Sequence, residues 1–171
     1  MRRAASGEAL RNALAAWKRA PKSKTVNGVG INWWAETTFT VRTALNGPHE
    51  YTLTTFDASG RPTSGNEDYV SGHDDPFRVA IVHPDVIPKV MAAIHRRQPD
   101  IQLLTASLTV APFIDRPAWS IQVVSPDTVS SLVYQVFPDG SRLCHGKDAY
   151  RDALVYAPGI PRCPNPVFAN T

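Results

Sequence analysis

The order of periodicities along the chain predicts an α+β fold: two tandem α-β-β-β units, helices packed on antiparallel sheet or sheets, and a Pro-rich C-terminal tail. Three observations carry the prediction. Two amphipathic helix patterns are each followed by runs that alternate at period two. The stretch "YTLTTFDASGR", residues 51–61, is echoed by "YQVFPDGSR", residues 134–142. Matching features also recur in the same order at similar spacing. Leu10–Ala13–Leu14–Trp17 matches Ile87–Val90–Met91–Ile94 at an offset of 77, Phe39/Val41 match Ile121/Val123 at 82, and Phe56/Arg61 match Phe137/Arg142 at 81. Fifteen Pro in 171 residues argue against a helical bundle.

The first helix is expected from "SGEALRNALAAWKRAP". Ser6 suits the N-cap, and Glu8 suits the positive end of the helix dipole. Leu10, Ala13, Leu14 and Trp17 make one apolar stripe, and Pro21 ends the helix. "KTVNGVGINWWAE" predicts a Gly-interrupted strand. "TTFTVRTAL" and "EYTLTTF", joined by the turn "NGPH", predict a hairpin. Residues 57–76 are rich in Ser, Gly, Asn, Asp and Pro, so they predict loop, with a short strand near Tyr69–Val70.

"FRVAIV" is expected as a brief strand or a lead-in to the second helix. With Asp85 as N-cap, Pro88 falls at N3, where its missing N–H is an orphan donor anyway. Ile87, Val90, Met91 and Ile94 form the stripe, His95, Arg96 and Arg97 suit the C-terminal end, and Pro99 closes the helix. "IQLLTASLTVAP", "AWSIQVVSP" and "SSLVYQVF" predict three strands, and "PDGS" a tight turn after the last. The expected division is residues 1–76 for the first unit with its polar linker, 77–146 for the second, and 147–171 for a tail packed on the body. A helix laid on a short antiparallel sheet buries one strand face and leaves the other to be solvated, paired or bound.

Charge is uneven. Residues 1–24 hold seven basic side chains against Glu8, leaving 11 basic and 14 acidic residues in the rest of the chain. A nucleic-acid binder carries a basic face across its folded body, so none is expected as a partner. An anionic membrane surface remains open to the basic N-terminal helix. No apolar run is long enough to span a bilayer. "MRRAASGEALRNALAAWKR" lacks the apolar segment of a secretory signal, so no export signal or anchor is expected within these 171 residues.

The chain has two cysteines, Cys144 and Cys163, with no zinc-type spacing. Cys163 lies in "APGIPRCPNPVFANT", which cannot form regular structure by itself. A Cys144–Cys163 bridge would staple this tail to the body and imply an oxidising, extracytoplasmic compartment. The alternative is two reduced, unrelated thiols.

Candidate chemistry is sparse. His73, Asp74 and Asp75 in "SGHDDP" are the densest titratable set, and a polar turn before Pro explains them. His83 and His95 flank or end a helix. Cys144 beside His145 lacks the spatially placed base a nucleophile needs. Ser6, Ser64, Ser71 and Ser107 sit in no nucleophile-elbow pattern, and no phosphate loop, HExxH or Ca²⁺ loop is present. No catalytic residue, metal or cofactor is therefore expected. "NWWAE" offers the best binding surface: adjacent Trp33 and Trp34 must diverge on a strand, and an exposed Trp near Arg42 would make an anchor. Burial of both between the two units is the alternative.

A helix bearing "IPKVMAAIHRR", then a strand, then "PAWSIQVVSPDTVSSLVYQVFPDGSRL" resembles the PepSY-type module of bacterial extracytoplasmic proteins. Trp119, the Tyr134–Phe137 strand and Asp139–Gly140 carry the resemblance, over residues 84–143. Through the repeat it extends to 7–61. It implies a non-enzymatic binding, inhibitory or sensory domain outside the cytoplasm. The tandem layout is also similar to β-lactamase-inhibitor-type proteins. The expected function is an extracytoplasmic binding or regulatory module contacting another protein, through Trp33, Trp34, Arg42, Trp119 and Tyr134. The alternative is a cone-shaped fold like the NTF2 group, a small-ligand site or enzyme with Trp33, Trp119, Tyr134 and a buried acid lining its pocket.

Overall fold

A computed structural model describes residues 7–19, 28–34, 38–44, 50–63, 67–70, 77–110, 116–125, 131–146 and 157–163; at 28–34, 67–70 and some strand ends it describes the backbone only. The fold is α+β, built from two tandem units. The first holds α1 (Glu8–Arg19), β1 (Gly28–Trp34), β2 (Thr38–Ala44), β3 (Glu50–Asp57) and β4 (Glu67–Val70). The second holds α2 (Val86–His95), β5 (Gln102–Val110), β6 (Pro117–Val124), β7 (Ser131–Val136) and β8 (Cys144–His145). Each has a short fourth strand at its outer edge beyond the three long ones.

All eight strands form one antiparallel sheet in the order β4-β3-β2-β1-β5-β6-β7-β8. The units therefore meet along a hydrogen-bonded seam, where β1 pairs with β5 from Ile31↔Leu108 to Trp34↔Thr105. The order reads the same from either edge, with the seam as the centre of a pseudo-twofold. Registers fix the equivalences. Phe39 pairs with Phe56 and Val41 with Thr54, as Trp119 pairs with Val136 and Ile121 with Tyr134. A register shift falls between Gly28 and Gly30 in the first unit and between Leu103 and Thr105 in the second.

The turns complete the match. Asp57 N–H donates to Arg61 C=O and Gly60 N–H to Asp57 C=O; Phe137 N–H donates to Ser141 C=O and Gly140 N–H to Phe137 C=O. Phe39 is thus equivalent to Trp119, Phe56 to Val136, and Asp57 to Phe137. This corrects the offsets of 82 and 81 expected from the sequence: β2, β3 and the turn all repeat at 80.

Both helices bury the predicted stripes. Leu10, Ala13, Leu14 and Trp17 of α1 join Ile87, Val90, Met91 and Ile94 of α2 in one core with the inner sheet face. Fully burying such an aliphatic side chain is worth about 1.5–3 kcal/mol. Asp85 is the N-cap of α2 as expected, with Pro88 at N3, yet its carboxylate makes no bond to its own helix. It accepts instead from Arg11 of α1, tying the two helix starts together. The first residue before α1 is Gly7, whose carbonyl accepts Arg11 N–H at 3.0 Å; Ser6 lies outside the described residues. "FRVAIV" is a lead-in and not a strand: Phe77 makes a single bridge and Val79–Ile81 one 3₁₀ turn. His95 Nε2 donates to Ile101 C=O at 2.7 Å, fixing the end of α2 to the start of β5.

Cys144 and Cys163 form a disulfide, with Cα atoms 4.9 Å apart. Around it the tail runs parallel to β8: His145 N–H donates to Pro161 C=O and Cys163 N–H to His145 C=O, both at 2.9 Å. The sheet edge at β8 is thereby covered, as exposed edges of soluble proteins usually are. The expected boundaries at 76 and 146 adjoin residues outside the described set, and the tail is described only at 157–163.

Candidate binding face and its corner groove

Alternation along the strands gives the sheet two different faces. Toward the helices point Phe39, Val41, Phe56, Ala106, Leu108, Trp119, Ile121, Val123, Leu132, Tyr134 and Val136, all buried. On the opposite face Thr105, Ser107, Ser120, Gln122 and Gln135 are half-buried, as are Val124 and Val133, and Ala118 is buried. One register row crosses this second face through Thr55, Thr40, Asn32, Ser107, Ser120 and Gln135. Every position in it is polar and uncharged. Gln122 stitches its neighbours, accepting from Thr105 Oγ1 at 3.5 Å and donating to Ser131 Oγ at 2.7 Å.

The residues expected at a binding surface are not brought together. Trp119 and Tyr134 are wholly buried on the helix side, so neither can face a partner or line an open pocket. Large aromatics contribute most area per residue, and here the core takes both. Trp119 Nε1 has no hydrogen-bond partner among the described residues, whereas Tyr134 Oη accepts from Ala157 N–H at 2.9 Å. Arg42 is half-buried on the second face, in register between Gly30 and Leu53. Trp33 pairs with Phe39 and Ala106, and Trp34 with Thr38 and Thr105; their side chains lie outside the described part of the structure. Thr38 and Arg42 are four residues apart on β2, about 13 Å, so Trp34 and Arg42 do not sit side by side in the backbone register.

Other candidates are placed as follows. Lys18 and Arg19 are exposed at the C-terminal end of α1, favourable to its dipole, while Arg11 is engaged by Asp85. His73, Asp74 and Asp75 lie outside the described residues, as do Ser64 and Ser71. Among the described residues no group of three His, Cys, Asp or Glu could hold a metal ion.

Concave surface is found at one corner of the second face, where β6 and β7 meet the turn and the disulfide-held tail. A groove of about 380 Å³ is lined by Ala118, Gln135, Phe137, Leu143, the cystine and Arg162. Beyond Phe137 a wider, more polar hollow of about 550 Å³ takes in His83, Arg116, Asp139 and Ser141. Phe137 and Arg142 border both. The Arg142 guanidinium stands 5.7 Å from the centroid of the Phe137 ring, within cation–π range. Arg142 is also the one non-glycine with positive φ, at 56°, among the described residues.

The carboxylate nearby is already committed. Asp139 accepts from Ser141 Oγ at 2.6 Å and Ser141 N–H at 2.8 Å, and these bonds hold its pKa below the ordinary value of 3.8. Sequence reasoning placed Phe137 at the end of a strand and Arg142 at the turn that follows it. The groove escaped it because its walls come from three separated segments joined by the cystine.

No protein-family model matches the chain, and no curated protein matches it. Among solved structures, a "putative lipoprotein" from Clostridium difficile 630 is similar in fold, with a TM-score of 0.53 and 13% identity over 75% of this chain and 85% of that one. The likeness is one of backbone layout: a similar chain path with few shared residues. No helix among the described residues is long and apolar enough to cross a membrane.

Proposed function

We propose that the protein is a non-enzymatic binding or regulatory module of an extracytoplasmic compartment, contacting another protein through the sheet face opposite the helices. The observation that carries this reading is the division of one eight-stranded sheet into a face closed by helices and an apolar core, and a face presenting a polar row from Thr55 to Gln135. Uncharged polar side chains such as Ser107, Ser120 and Gln135 desolvate at less cost than charged ones, which suits a protein interface. The Cys144–Cys163 bridge favours an oxidising compartment. The fold shared with a "putative lipoprotein" agrees with that location. The tandem helix-on-sheet layout is of the kind the resemblance to PepSY-type and inhibitor-type modules implies.

Site-specific photo-crosslinking in the extracytoplasmic fraction tests the reading. A benzophenone amino acid at Ser107 or Ser120 is expected to capture a discrete protein adduct, and one at Ala15 or Lys89, on the exposed side of the helices, is not. Equal capture from both faces, or capture only from the helices, would overturn it.

A further inference from the structure

The pseudo-twofold supplies an internal control: whatever the fold requires of one unit, it requires of the other. At the end of β3 and β7 the two units obey the same backbone hydrogen bonding through residues 61 and 141, and then they part. In the first unit Arg61 is followed by Pro62, which bridges back to Phe56; a proline ring forbids positive φ. The equivalent residue in the second unit is Arg142, held at φ 56°. The turn itself therefore does not demand a left-handed residue there. Nor does it demand an aromatic at 137, since its counterpart is Asp57. Both departures fall on the same groove, and a strained non-glycine is the kind of feature that structures retain for function.

The chemistry of the corner is specific. Arg116, Arg142 and Arg162 stand around it, and none meets a carboxylate among the described residues. Among the described residues the one acid at the rim, Asp139, is occupied by Ser141. Between the guanidinium groups lie Phe137, Leu143, Ala118 and the cystine, an apolar floor. The Cys144–Cys163 bridge and the backbone bonds of the tail fix one wall, so little freedom is lost when a ligand enters.

We propose that this corner docks a partner segment in which a carboxylate stands beside an apolar side chain, the carboxylate on Arg142 and the apolar group on Phe137 and Leu143. The inference rests on the protein-partner reading above and names the chemistry of one contact within it. Arg suits the task because its planar fork pairs bidentately with a carboxylate while its face stacks on the aromatic ring. Arg142 borders both hollows, with its guanidinium beside the Phe137 ring.

The test is a titration of ¹⁵N-labelled, disulfide-intact protein with the peptides acetyl-Glu-Leu-Glu-amide and acetyl-Gln-Leu-Gln-amide. The acidic peptide is expected to shift the amides of Phe137, Arg142, Leu143 and Cys163, and to bind about tenfold more tightly than the neutral one, a gap that closes in high salt. Arg142→Gly is the decisive variant. Glycine accepts φ 56° without strain, so it keeps the turn while removing the side chain and its guanidinium. Its affinity for the acidic peptide should fall about tenfold while its melting temperature holds or rises. Unchanged affinity in Arg142→Gly would overturn the inference, as would equal binding of both peptides or shifts mapping to Lys18 and Arg19. If Ser107 crosslinks a partner but the acidic peptide leaves the corner unmoved, the groove inference fails and the protein-binding reading stands. If the peptide binds and the sheet face captures nothing, the reverse holds.

Discussion

The phenol oxygen of Tyr134, at the centre of β7, accepts the backbone N–H of Ala157 at 2.9 Å, and both residues are buried. One side chain thus fills the core and anchors the returning tail. Tyr134→Phe keeps the ring and removes the acceptor, leaving a buried N–H unpaired. The expected loss is about 1–3 kcal/mol in urea unfolding, with faster hydrogen exchange at Ala157. Unaltered exchange there would show that the phenol does not hold the tail.

The two turns of the repeat make a second matched test. Gly60 and Gly140 are equivalent, with φ of 81° and 85°. A Cβ on Gly60 would come within 2.6 Å of the Asn12 backbone in α1, whereas one on Gly140 would meet only a Val86 methyl at 3.7 Å. Gly140→Ala should therefore cost the backbone strain only, about 1–2 kcal/mol. Gly60→Ala should cost about 1–3 kcal/mol more, because α1 must move. Equal losses in thermal or urea unfolding would mean that the first turn does not pack on α1.

The difference between those turns marks the limit of what the sequence discloses. The helix stripes were legible, because an apolar period of 3.6 residues needs no partner to be recognised, and Pro88 fixed where α2 begins. The unit repeat was legible too, but its register was not. Aligning Phe39/Val41 with Ile121/Val123 is wrong by two residues, and a slip of two preserves which face each side chain occupies. Aligning Phe56 with Phe137 is wrong by one, which exchanges the faces. The structure sets buried Val136 against Phe56 and leaves Phe137 at the groove. Two residues of β8 carry no periodicity at all. Trp119 and Tyr134 suited a binding surface by composition, and only the registers of β6 and β7 show that they belong to the core.

The disulfide carries the outer edge of the second unit. It closes a 19-residue separation, for which chain entropy gives about 3 kcal/mol. The double substitution Cys144→Ala and Cys163→Ala is expected to lower stability by about that amount. It should also expose the His145 and Cys163 amides to exchange well before the rest of the sheet. Loss of protection across β5, β6 and β7 at the same rate would show that the bridge supports the whole domain and not its edge.

Acid should act on the fold through the first turn. Asp57 accepts from Ser59 Oγ at 2.6 Å, Ser59 N–H at 2.8 Å and Arg61 N–H at 3.0 Å. The Ser59 hydroxyl chiefly, and then the Arg61 amide, hold its pKa below the ordinary 3.8. Asp139 is lowered in the same sense, chiefly by the Ser141 hydroxyl. A carboxylate whose pKa falls on folding takes up its proton first in the unfolded chain. Its stabilisation is therefore complete above the ordinary value and is lost as pH falls through the folded one. Denaturation midpoints should decline from about pH 5 toward about pH 2. Asp57→Asn keeps an oxygen acceptor without the charge, so its midpoint should start lower and decline less over that range, and Asp57→Asn/Asp139→Asn less again. If Asp57→Asn follows the same slope as the native chain, the carboxylate contributes no charge-dependent stability to the turn, and other acids govern the acid sensitivity.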